Sequence, residues 1–390
     1  MKLEKCLCCD SALIPVLDWG VMPLANNYNV KDKFPLQLNK CVECHHLQLD
    51  ESVEPDIMFK DYPYFSGTSQ TSKDFFNEFA STALRIKPDA NNVLDIACND
   101  GSQLDAFKSL GLETFGIDPA ENLEPVSKAK GHTIYCGMFP EKELYKSNFD
   151  IITAQNVVAH VPNPLAFLKG CKERMHDASI LMIATSQANM ITGTEFDTIY
   201  HEHISYFNTL SMQKLCENAG LVLEDVFTHP IHGTSYIFVI RKVATKNPVS
   251  TRIDKEFKCG LYEDCTYNKW VLDCETKALD KRNEIEQYKG LGYTIVGCGA
   301  AAKGITFLNM SKTKVDFLVD TTPAKWYSET CNATIYPFEY LKTLKDEKVL
   351  FVILAWNFEK EITSNIKKYR DNKKDIFINT NEKGINISSK

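Results

Sequence analysis

Short apolar runs alternate with longer amphipathic stretches through most of this chain. A first series of runs predicts buried strands over residues 93–97, 114–118, 148–156 and 181–185. A helix is predicted from about residue 75, and another from residue 102 to 110. A second series predicts strands over residues 292–296, 315–320 and 349–355. Because strands and helices alternate, the pattern predicts an α/β protein with two Rossmann-like units.

A long charged stretch over residues 253–288 separates the two series and has a helical pattern. Its predicted buried positions are Phe257, Leu261, Trp270, Leu272 and Leu279. At 390 residues, the chain is longer than one ordinary domain. The predicted domains are residues 1–74, 75–245 and 246–390.

Composition restricts the classes of function. The content of 44% hydrophobic and 24% charged residues is that of a soluble globular protein. A net charge of −7 argues against general binding to nucleic acid. No apolar run reaches the length of a membrane span, and the N-terminus lacks the core of a signal peptide. The sequence therefore predicts a cytoplasmic protein.

The first domain contains two C-x-x-C pairs, Cys6 with Cys9 and Cys41 with Cys44. Two such pairs present four thiolates to one ion, which is the arrangement of a structural zinc site. Neighbouring residues that are alternative ligands leave the register open: Cys8, His45 and His46. A closed four-sulfur site has no open position for a substrate, so we expect the Zn²⁺ to be structural.

The middle domain has polar residues where its predicted strands end. The first strand leads through Asp95 and Ala97 to the turn Asn99-Asp100-Gly101, and the second ends at Asp118, which is placed to bind ribose hydroxyls. The G-x-G-x-x-G cradle for a pyrophosphate is missing. S-adenosylmethionine (SAM), which has a ribose and no pyrophosphate, is therefore favoured over NAD or FAD; a different ligand is the alternative. The third strand ends in two amides, Gln155 and Asn156.

The stretch Glu195-Phe-Asp-Thr-Ile-Tyr-His-Glu-His203 combines histidines, carboxylates and a tyrosine. Such groups suit proton transfer near neutral pH. A metal site is less favoured, because His201 and His203 are two positions apart, whereas helical zinc ligands are four apart. On a strand, this spacing would place both histidines on one face and Glu202 on the other. A structural hydrogen-bonded cluster is the remaining alternative.

Two further segments have candidate ligand contacts. Residues 60–69 form an aromatic and hydroxyl-rich loop, which is either a linker or a wall over a ligand. Near the C-terminus, Gly297-Cys-Gly-Ala-Ala-Ala-Lys303-Gly304 follows a predicted strand. Backbone N–H groups at the helix start, with Lys303, suit a phosphate or diphosphate. Close packing of the strand on the helix is the alternative explanation of these glycines.

Together these features resemble the sugar C-methyltransferase family over nearly the whole chain. The matching segments are Pro23-Leu-Ala-Asn26, Val93-Leu-Asp-Ile with Asn99-Asp-Gly101, Asn156-Val-Val-Ala-His160-Val-Pro162, Glu195 to His203, His232-Gly233, Gly297-Cys-Gly-Ala with Ala302-Lys-Gly304, and Leu354-Ala-Trp-Asn-Phe358. The resemblance implies a zinc-binding module, a class I SAM methyltransferase domain and a C-terminal Rossmann-like domain, all within the α/β class.

The resemblance also implies a reaction, the C-methylation of an NDP-activated keto-deoxysugar. A base removes the acidic proton beside the ketone, and the enolate carbon then attacks the methyl group of SAM. His203 corresponds to the family's proposed base. The supporting residues are Tyr200, Glu202, His160 and Tyr64, with Tyr62 as the less favoured tyrosine. SAM would be held by Asp95, Ala97, Asn99, Asp100, Gly101, Asp118, Gln155 and Asn156, and the nucleotide-sugar by Lys303, Asn309 and Trp356.

Some positions depart from the family pattern. Ala97 stands where most class I SAM methyltransferases have glycine, Thr185-Ser186 replaces part of a Glu-x-Pro-Tyr segment, and His232-Gly-Thr-Ser235 replaces His-Gly-Gly-Ser. These departures leave the sugar and the methylated carbon open. Three alternatives follow: an epimerase that uses the same base, an O-methyltransferase, and a non-catalytic ligand-binding protein. The sequence does not fix the oligomeric state, and a monomer is compatible with it.

Overall fold

The computed structural model describes residues 2–26, 28, 32–54, 65–146, 148–186, 188–245 and 249–382. Its strands are β1 (Leu13–Pro23), β2 (Lys33–Cys41), β3 (Leu47–Leu49), β4 (Asn92–Ile96), β5 (Glu113–Asp118), β6 (Thr133–Cys136), β7 (Phe149–Gln155), β8 (Met175–Ser186), β9 (Ser205–Tyr206), β10 (Val222–His229), β11 (Ser235–Arg241), β12 (Thr294–Cys298), β13 (Phe317–Val319), β14 (Glu329–Thr330), β15 (Ala333–Tyr336), β16 (Val349–Ile353) and β17 (Ile376–Asn379).

Its α-helices are α1 (Gln70–Ile86), α2 (Ser102–Ser109), α3 (Glu124–Ala129), α4 (Pro164–Glu173), α5 (Thr209–Ala219), α6 (Ser250–Lys258), α7 (Asp264–Gly290), α8 (Ala302–Ser311) and α9 (Glu359–Tyr369). Short 3₁₀ helices occur at Ser66–Thr68, Ala188–Ile191, Pro323–Lys325, Phe338–Leu344 and Trp356–Phe358. No helix in this part of the chain is both long enough and apolar enough to cross a membrane.

The chain divides into two compact units. The first unit consists of Met1–Val16, Gln37–Asn189 and Glu202–Tyr262. The second unit consists of Leu17–Leu36, Met190–His201 and Glu263–Lys390. These limits differ from the predicted domain boundaries at residues 74 and 245. Both C-x-x-C pairs and helix α6 belong to the first unit. The short segments Leu17–Leu36 and Met190–His201 belong to the second.

The first unit contains a seven-stranded sheet in the order β10-β11-β8-β7-β4-β5-β6. Strands β8, β7, β4, β5 and β6 are parallel, and β11 is antiparallel to both of its neighbours. The strand order reverses between β4 and β7, where Asp95 lies beside Thr153. In sheets of this type, ligands bind in the crevice outside the carboxyl ends of the strands at such a reversal. The polar residues that follow β4, β5 and β7 therefore lie at one edge.

Helices cover both faces of this sheet, which explains why its central strands are continuous apolar runs. On one face, α1 buries Phe75 and Phe79, and α2 buries Phe107. On the other face, α4 buries Phe167 and α5 buries Leu215. Truncation of any of these phenylalanines to alanine would cost about 3–5 kcal/mol of stability.

The second unit contains a six-stranded sheet in the order β14-β15-β13-β12-β16-β17. All of its pairings are parallel except that of β14 with β15. Its glycine-rich turn is tightly packed. A Cβ atom on Gly297 would lie 2.5 Å from Leu318 Cδ2, and one on Gly304 would lie 2.5 Å from Leu354 Cβ. Packing against the neighbouring strand β13 therefore accounts for Gly297, and packing of α8 on Leu354, which follows β16, accounts for Gly304.

The predicted helical stretch over residues 253–288 is two helices, α6 and α7, because the chain turns at Gly260 with a φ of 73°. The prediction of buried positions was wrong for Phe257, Leu272 and Leu279, which are 62%, 57% and 54% exposed. Helix α7 buries one narrow stripe with a spacing of three or four residues: Tyr267, Trp270, Cys274, Ala278, Lys281, Glu284 and Ile285. Its two exposed leucines lie off this stripe.

A buried carboxylate connects α6 to α5 and β11 within the first unit. Glu256 is 2% exposed and accepts hydrogen bonds from four groups. Thr209 donates through its backbone N–H at 3.0 Å and its hydroxyl at 2.6 Å, and the hydroxyls of Tyr236 and Tyr262 donate at 2.5 and 2.6 Å. The donors of Thr209 and Tyr236 would be left buried without this acceptor if the carboxylate were removed, and the partly buried Tyr262 would also lose it.

We expect Glu256→Ala to lower the free energy of unfolding by about 3 kcal/mol or more, because it leaves these donors unsatisfied. Tyr262→Phe removes one donor only and should cost about 1 kcal/mol. Urea unfolding followed by circular dichroism measures both changes. Glu217→Ala, which removes an exposed carboxylate on α5, is the control and should leave the midpoint unchanged. Equal stability of Glu256→Ala and the wild type would contradict the assigned role.

Candidate functional site

The four predicted cysteine ligands lie together in the first unit. The Sγ atoms of Cys6, Cys9, Cys41 and Cys44 all lie within 4.8 Å of one another, with Cys6–Cys44 at 3.5 Å and Cys9–Cys41 at 3.4 Å. A tetrahedral zinc ion with Zn–S bonds of about 2.3 Å requires sulfurs about 3.8 Å apart. Backbone N–H groups also point at the sulfurs, since Cys44 N–H donates to Cys41 Sγ at 3.5 Å. The donor set therefore fits Zn²⁺.

The alternative ligands lie outside this cluster. Cys8 is buried, and its backbone N–H donates to Cys6 Sγ. His46 is buried and its Nε2 lies 3.2 Å from Ser205 Oγ. The clustering of the four sulfurs thus favours the two C-x-x-C pairs as the ligands.

The turn after β4 has a left-handed backbone at three positions. Ala97, Asn99 and Gly101 have φ values of 57°, 50° and 74°. An L-residue with a Cβ pays about 1–2 kcal/mol in this region, which glycine avoids. This conformation explains why glycine is usual at the position of Ala97. The turn persists here with alanine because neighbouring groups hold it.

Asp118 is one of the groups that hold this turn. Its Oδ2 accepts from the N–H of Asn99 at 2.8 Å, and its Oδ1 accepts from the N–H of Ala120 at 2.8 Å. A carboxylate has about four lone-pair sites, so each oxygen keeps a site for a ribose hydroxyl. Burial raises the pKa of Asp118.

Two residues that the sequence analysis missed also contact this turn. Ser66 donates from its N–H to Asn99 Oδ1 at 2.9 Å and from its hydroxyl to Asp100 Oδ1 at 2.8 Å. The N–H of Gly67 donates to Asp100 Oδ2 at 3.1 Å. A Cβ on Gly67 would lie 2.0 Å from Ser102 Oγ, so only glycine fits. The Ser-Gly pair within the aromatic loop was the signal that could have identified them.

The ends of β7 and β8 present buried polar atoms without hydrogen-bond partners among the described residues. These atoms are Gln155 Oε1 and Thr185 Oγ1. Buried polar atoms are normally hydrogen-bonded, so each is a candidate contact for a ligand group. Gln155 is itself held by Gln103, whose Oε1 accepts from Gln155 Nε2. This edge therefore fits a cofactor with hydroxyl and amine groups, as SAM has.

His203 and His160 lie together near the same edge. Their ring centroids are 4.9 Å apart, and His203 Nδ1 lies 3.5 Å from the hydroxyl of Ser186 at the end of β8. His203 is 7% exposed and Glu202 is 4% exposed. The N–H groups of Ile204 and Ser205 both donate to the carbonyl of Ala159, at 2.7 and 3.0 Å. These bonds join the segment of His203 to the loop that carries His160.

His160 has a defined protonation state. Burial lowers the pKa of His160 to about 4, so the ring is neutral at neutral pH. Its Nδ1 lies 2.6 Å from the carbonyl oxygen of Glu202. Because a carbonyl can only accept, His160 Nδ1 carries the proton. His160 therefore acts as a neutral hydrogen-bond donor to the backbone beside His203.

The remaining residues of the histidine-rich stretch belong to the second unit. The stretch is turn and coil at His201 and His203 rather than a strand, so the two histidines do not share a strand face. His201 Nε2 lies 3.1 Å from the carbonyl oxygen of Phe34, and burial lowers the pKa of His201. Tyr200 is half-buried in the second unit. The aromatic-loop candidates Tyr62 and Tyr64 lie outside the described residues.

Asp197, which sequence analysis did not select, connects two of the predicted nucleotide-sugar contacts. The indole N–H of Trp356 donates to Asp197 Oδ2 at 2.6 Å, and Lys303 Nζ lies 3.7 Å from Asp197 Oδ1. Lys303 Nζ also lies 4.9 Å from the centre of the Trp356 ring. Asn309 lies apart from this group, and its Oδ1 accepts from the thiol of Cys331 at 3.5 Å. Asp197, Lys303 and Trp356 thus form one cluster within the second unit.

Asp95 gives the first unit a specific dependence on pH. Burial and the charge of Asp118 raise the pKa of Asp95 to about 7, against the hydrogen bond that Thr153 donates at 2.6 Å. An unfolded aspartate titrates near pH 4. Between about pH 4 and 7, the folded state therefore binds more protons than the unfolded state, and stability falls as pH rises.

For Asp95→Asn, we expect a flatter dependence of the unfolding free energy on pH, because this proton no longer binds. The wild type should lose up to about 1.4 kcal/mol more per pH unit than the variant. Urea unfolding at pH 5, 6 and 7 without ligand measures the two slopes. Parallel slopes for the two proteins would contradict the raised pKa.

Two solved structures are similar to part of this chain. A SAM-dependent methyltransferase from Clostridium acetobutylicum matches with a TM-score of 0.38 and 10% identity, over 45% of this chain and 92% of that chain. A magnesium protoporphyrin IX methyltransferase from Synechocystis with bound S-adenosylhomocysteine matches with a TM-score of 0.37 and 12% identity, over 44% of this chain and 83% of that chain. A ubiquinone biosynthesis O-methyltransferase of Xanthomonas axonopodis is 25% identical over 36% of this chain and 67% of that protein.

Three family models match consecutive parts of the chain. They describe a zinc binding domain at residues 6–59, a methyltransferase domain at 68–226 and a C-methyltransferase C-terminal domain at 230–379. The C-methyltransferase NovU of Streptomyces niveus is 26% identical over 95% of this chain and 94% of that protein. The order of the three domains is the one implied by the sequence. The chain is therefore a SAM-dependent C-methyltransferase with a zinc-binding N-terminal domain, and it is similar to NovU over nearly its whole length.

Proposed function

We propose that this enzyme methylates a carbon atom of an NDP-activated keto-deoxysugar, with His203 as the base that forms an enolate. The observation that carries the proposal is the position of His203. It lies beside His160 and Ser186 at the edge of the sheet that presents Gln155 and Thr185 to a ligand.

Carbon methylation needs a base more than oxygen methylation does. A C–H bond is not nucleophilic until its proton is removed, and a neighbouring ketone makes that removal feasible near neutral pH. When bound, SAM supplies the electrophilic methyl group. His203 takes the proton from the carbon. Burial keeps water from the reacting atoms, but it also disfavours the imidazolium, so the charge that His203 gains requires a stabilising neighbour.

The neighbours of His203 support this role. His160 is neutral and anchored to the Glu202 carbonyl, so it does not repel the positive charge that His203 acquires. The Glu202 carboxylate, at 4% exposure, is a candidate to stabilise that charge. Tyr200 is proposed as the hydrogen-bond donor to the enolate oxygen, as the family resemblance implies. Tyr64 is proposed as a further active-site tyrosine on the same basis.

The cofactor is proposed to contact the residues at the carboxyl ends of the parallel strands. Asp95, Ala97, Asp118 and the Asn99–Gly101 turn form one part of this set, and Gln155 and Asn156 form the other. In the second unit, Lys303, Asn309 and Trp356 are proposed as nucleotide-sugar contacts. Asp197 orients two of these three side chains.

The proposal is tested by incubating the protein with a panel of NDP-4-keto-6-deoxyhexoses in D₂O, with and without SAM. We expect deuterium at a carbon next to the ketone, and a gain of one methyl group at that carbon only when SAM is present. His203→Ala should lower both rates by about 10³-fold or more, because the base is lost. Calorimetry should show SAM affinity within threefold of the wild type.

Each other result has a definite meaning. Exchange or inversion without methyl gain would favour an epimerase, and methylation of oxygen without exchange would favour an O-methyltransferase. Normal turnover of His203→Ala would remove this residue as the base. His229→Ala, which removes a half-buried histidine that pairs with the exposed Glu78 of the same unit, is the control for the loss of an imidazole.

The charge of Asp197 gives the cluster in the second unit a testable property. If Lys303 binds the diphosphate, Asp197 partly neutralises it in the free protein. We expect Asp197→Asn to tighten the binding of a nucleoside diphosphate about 3–10-fold, because it removes a negative charge and keeps an acceptor for Trp356. Lys303→Met should weaken binding. Calorimetry with TDP and UDP measures both, and weaker binding by Asp197→Asn would contradict the prediction.

A further inference from the structure

The segment that follows His203 is bound on one side by the part of the first unit that contains the four clustered cysteines and strand β3, which is called the zinc module below. Strand β3, which begins three residues after Cys44, pairs with β9 so that Leu47 lies opposite Tyr206 and Gln48 opposite Ser205. The N–H of Leu49 also donates to the carbonyl of Ile204 at 2.9 Å. The backbone directly after His203 is therefore an edge of the zinc module's own sheet.

The other side of the same segment is bound by the loop after β7. The carbonyl of Ala159 accepts from Ile204 and Ser205, and His160 Nδ1 donates to the Glu202 carbonyl. His203 thus lies between two anchors, one in the zinc module and one in the methyltransferase sheet. Displacement of either anchor changes the separation of the two histidines.

Two side chains strengthen the link from the zinc module. His46 is fully buried, its Nε2 lies 3.2 Å from Ser205 Oγ, and its ring centroid lies 4.8 Å from that of Phe207. Asn208 donates from Nδ2 to the carbonyls of Cys44 at 3.1 Å and His45 at 2.8 Å. Asn208 also caps helix α5, because its Oδ1 accepts from the N–H of Ser211 at 2.7 Å. These contacts join the second cysteine pair to both ends of the stretch from 205 to 208.

The first cysteine pair is joined to the same strand. The N–H of Leu7 donates to Gln48 Oε1 at 2.8 Å, and Gln48 Nε2 donates to the carbonyl of Lys5 at 3.1 Å. Gln48 is fully buried. Both C-x-x-C pairs are therefore hydrogen-bonded or adjacent in sequence to β3. Four thiolates within 4.8 Å of one another would repel one another without a cation between them.

We propose that the zinc module positions the base, and that His46, Gln48 and Asn208 are positioning residues that transmit the geometry of the cysteine cluster to His203. The proposal rests on the proposed function, since it takes His203 to be the base. A misplacement of about 1 Å at a reacting group can cost about 10²-fold in rate. The zinc module is then part of the active-site scaffold as well as a stabilising domain.

Hydrogen–deuterium exchange of the intact protein tests the mechanical link without using activity. Zinc is removed with a chelator or by Cys41→Ser, and metal content is measured by atomic absorption. We expect amide exchange over residues 47–49 and 204–206 to rise at least tenfold, while residues 93–103 change less than twofold. Cys171→Ser is the matched control, because this thiol of α4 is also buried but is not one of the four clustered cysteines, so the variant should retain both zinc and protection. Equal exchange with and without zinc, or an equal rise over the whole unit, would overturn the proposal.

Variants of His46 test positioning separately from metal binding. His46→Ala should retain zinc, lower kcat about 10–100-fold, and leave KM for SAM within threefold, because β9 shifts while the cofactor edge stays in place. His46→Gln places an amide nitrogen near the position of Nε2 and should recover most of kcat. If His46→Ala has normal kcat and unchanged exchange over residues 204–206, the positioning role is wrong. If His203→Ala is fully active while zinc loss still exposes residues 204–206, the proposed base is wrong and the mechanical link stands.

Discussion

The carbonyl of Ala159 makes the interaction on which the candidate site depends. It accepts two N–H groups from the segment after His203, and one residue later His160 donates back to that segment. This pairing fixes a long loop, which has no regular structure of its own at His203, against the end of a parallel strand. The site is thus built from a rigid sheet edge and a segment that takes its conformation from its neighbours.

The turn after β4 shows the same dependence at the cofactor edge. Ala97 occupies a left-handed conformation that its own side chain disfavours, and Asp118, Ser66 and Gly67 supply the hydrogen bonds that hold the turn. A departure from glycine therefore does not remove the turn. The hydrogen bonds from these three residues offset the strain of the left-handed backbone at Ala97, which explains how the methyltransferase fold tolerates alanine here.

Much of the fold could be predicted, because strong apolar periodicity marks the strands that both faces bury. Strands β4, β5, β7 and β16 lie within one or two residues of their predicted positions. Helix α7 was harder, since its buried stripe includes Lys281 and Glu284, which pair with each other at 2.8 Å inside the unit. Paired charges look exposed in a sequence, and the exposed leucines look buried. Long-range partners such as Ala159 with Ile204 leave no local signal at all.

The histidine-rich stretch could be recognised but not divided from sequence alone. Its first part belongs to the second unit, where Asp197 binds Lys303 and Trp356 and His201 binds the Phe34 carbonyl. Its last part belongs to the first unit, where His203 meets His160. A dense run of titratable residues therefore need not be one cluster. Each half of the stretch has its own partners, so two sets of structural requirements fall within nine residues. These two sets account for a density of titratable residues that proton transfer alone would not require.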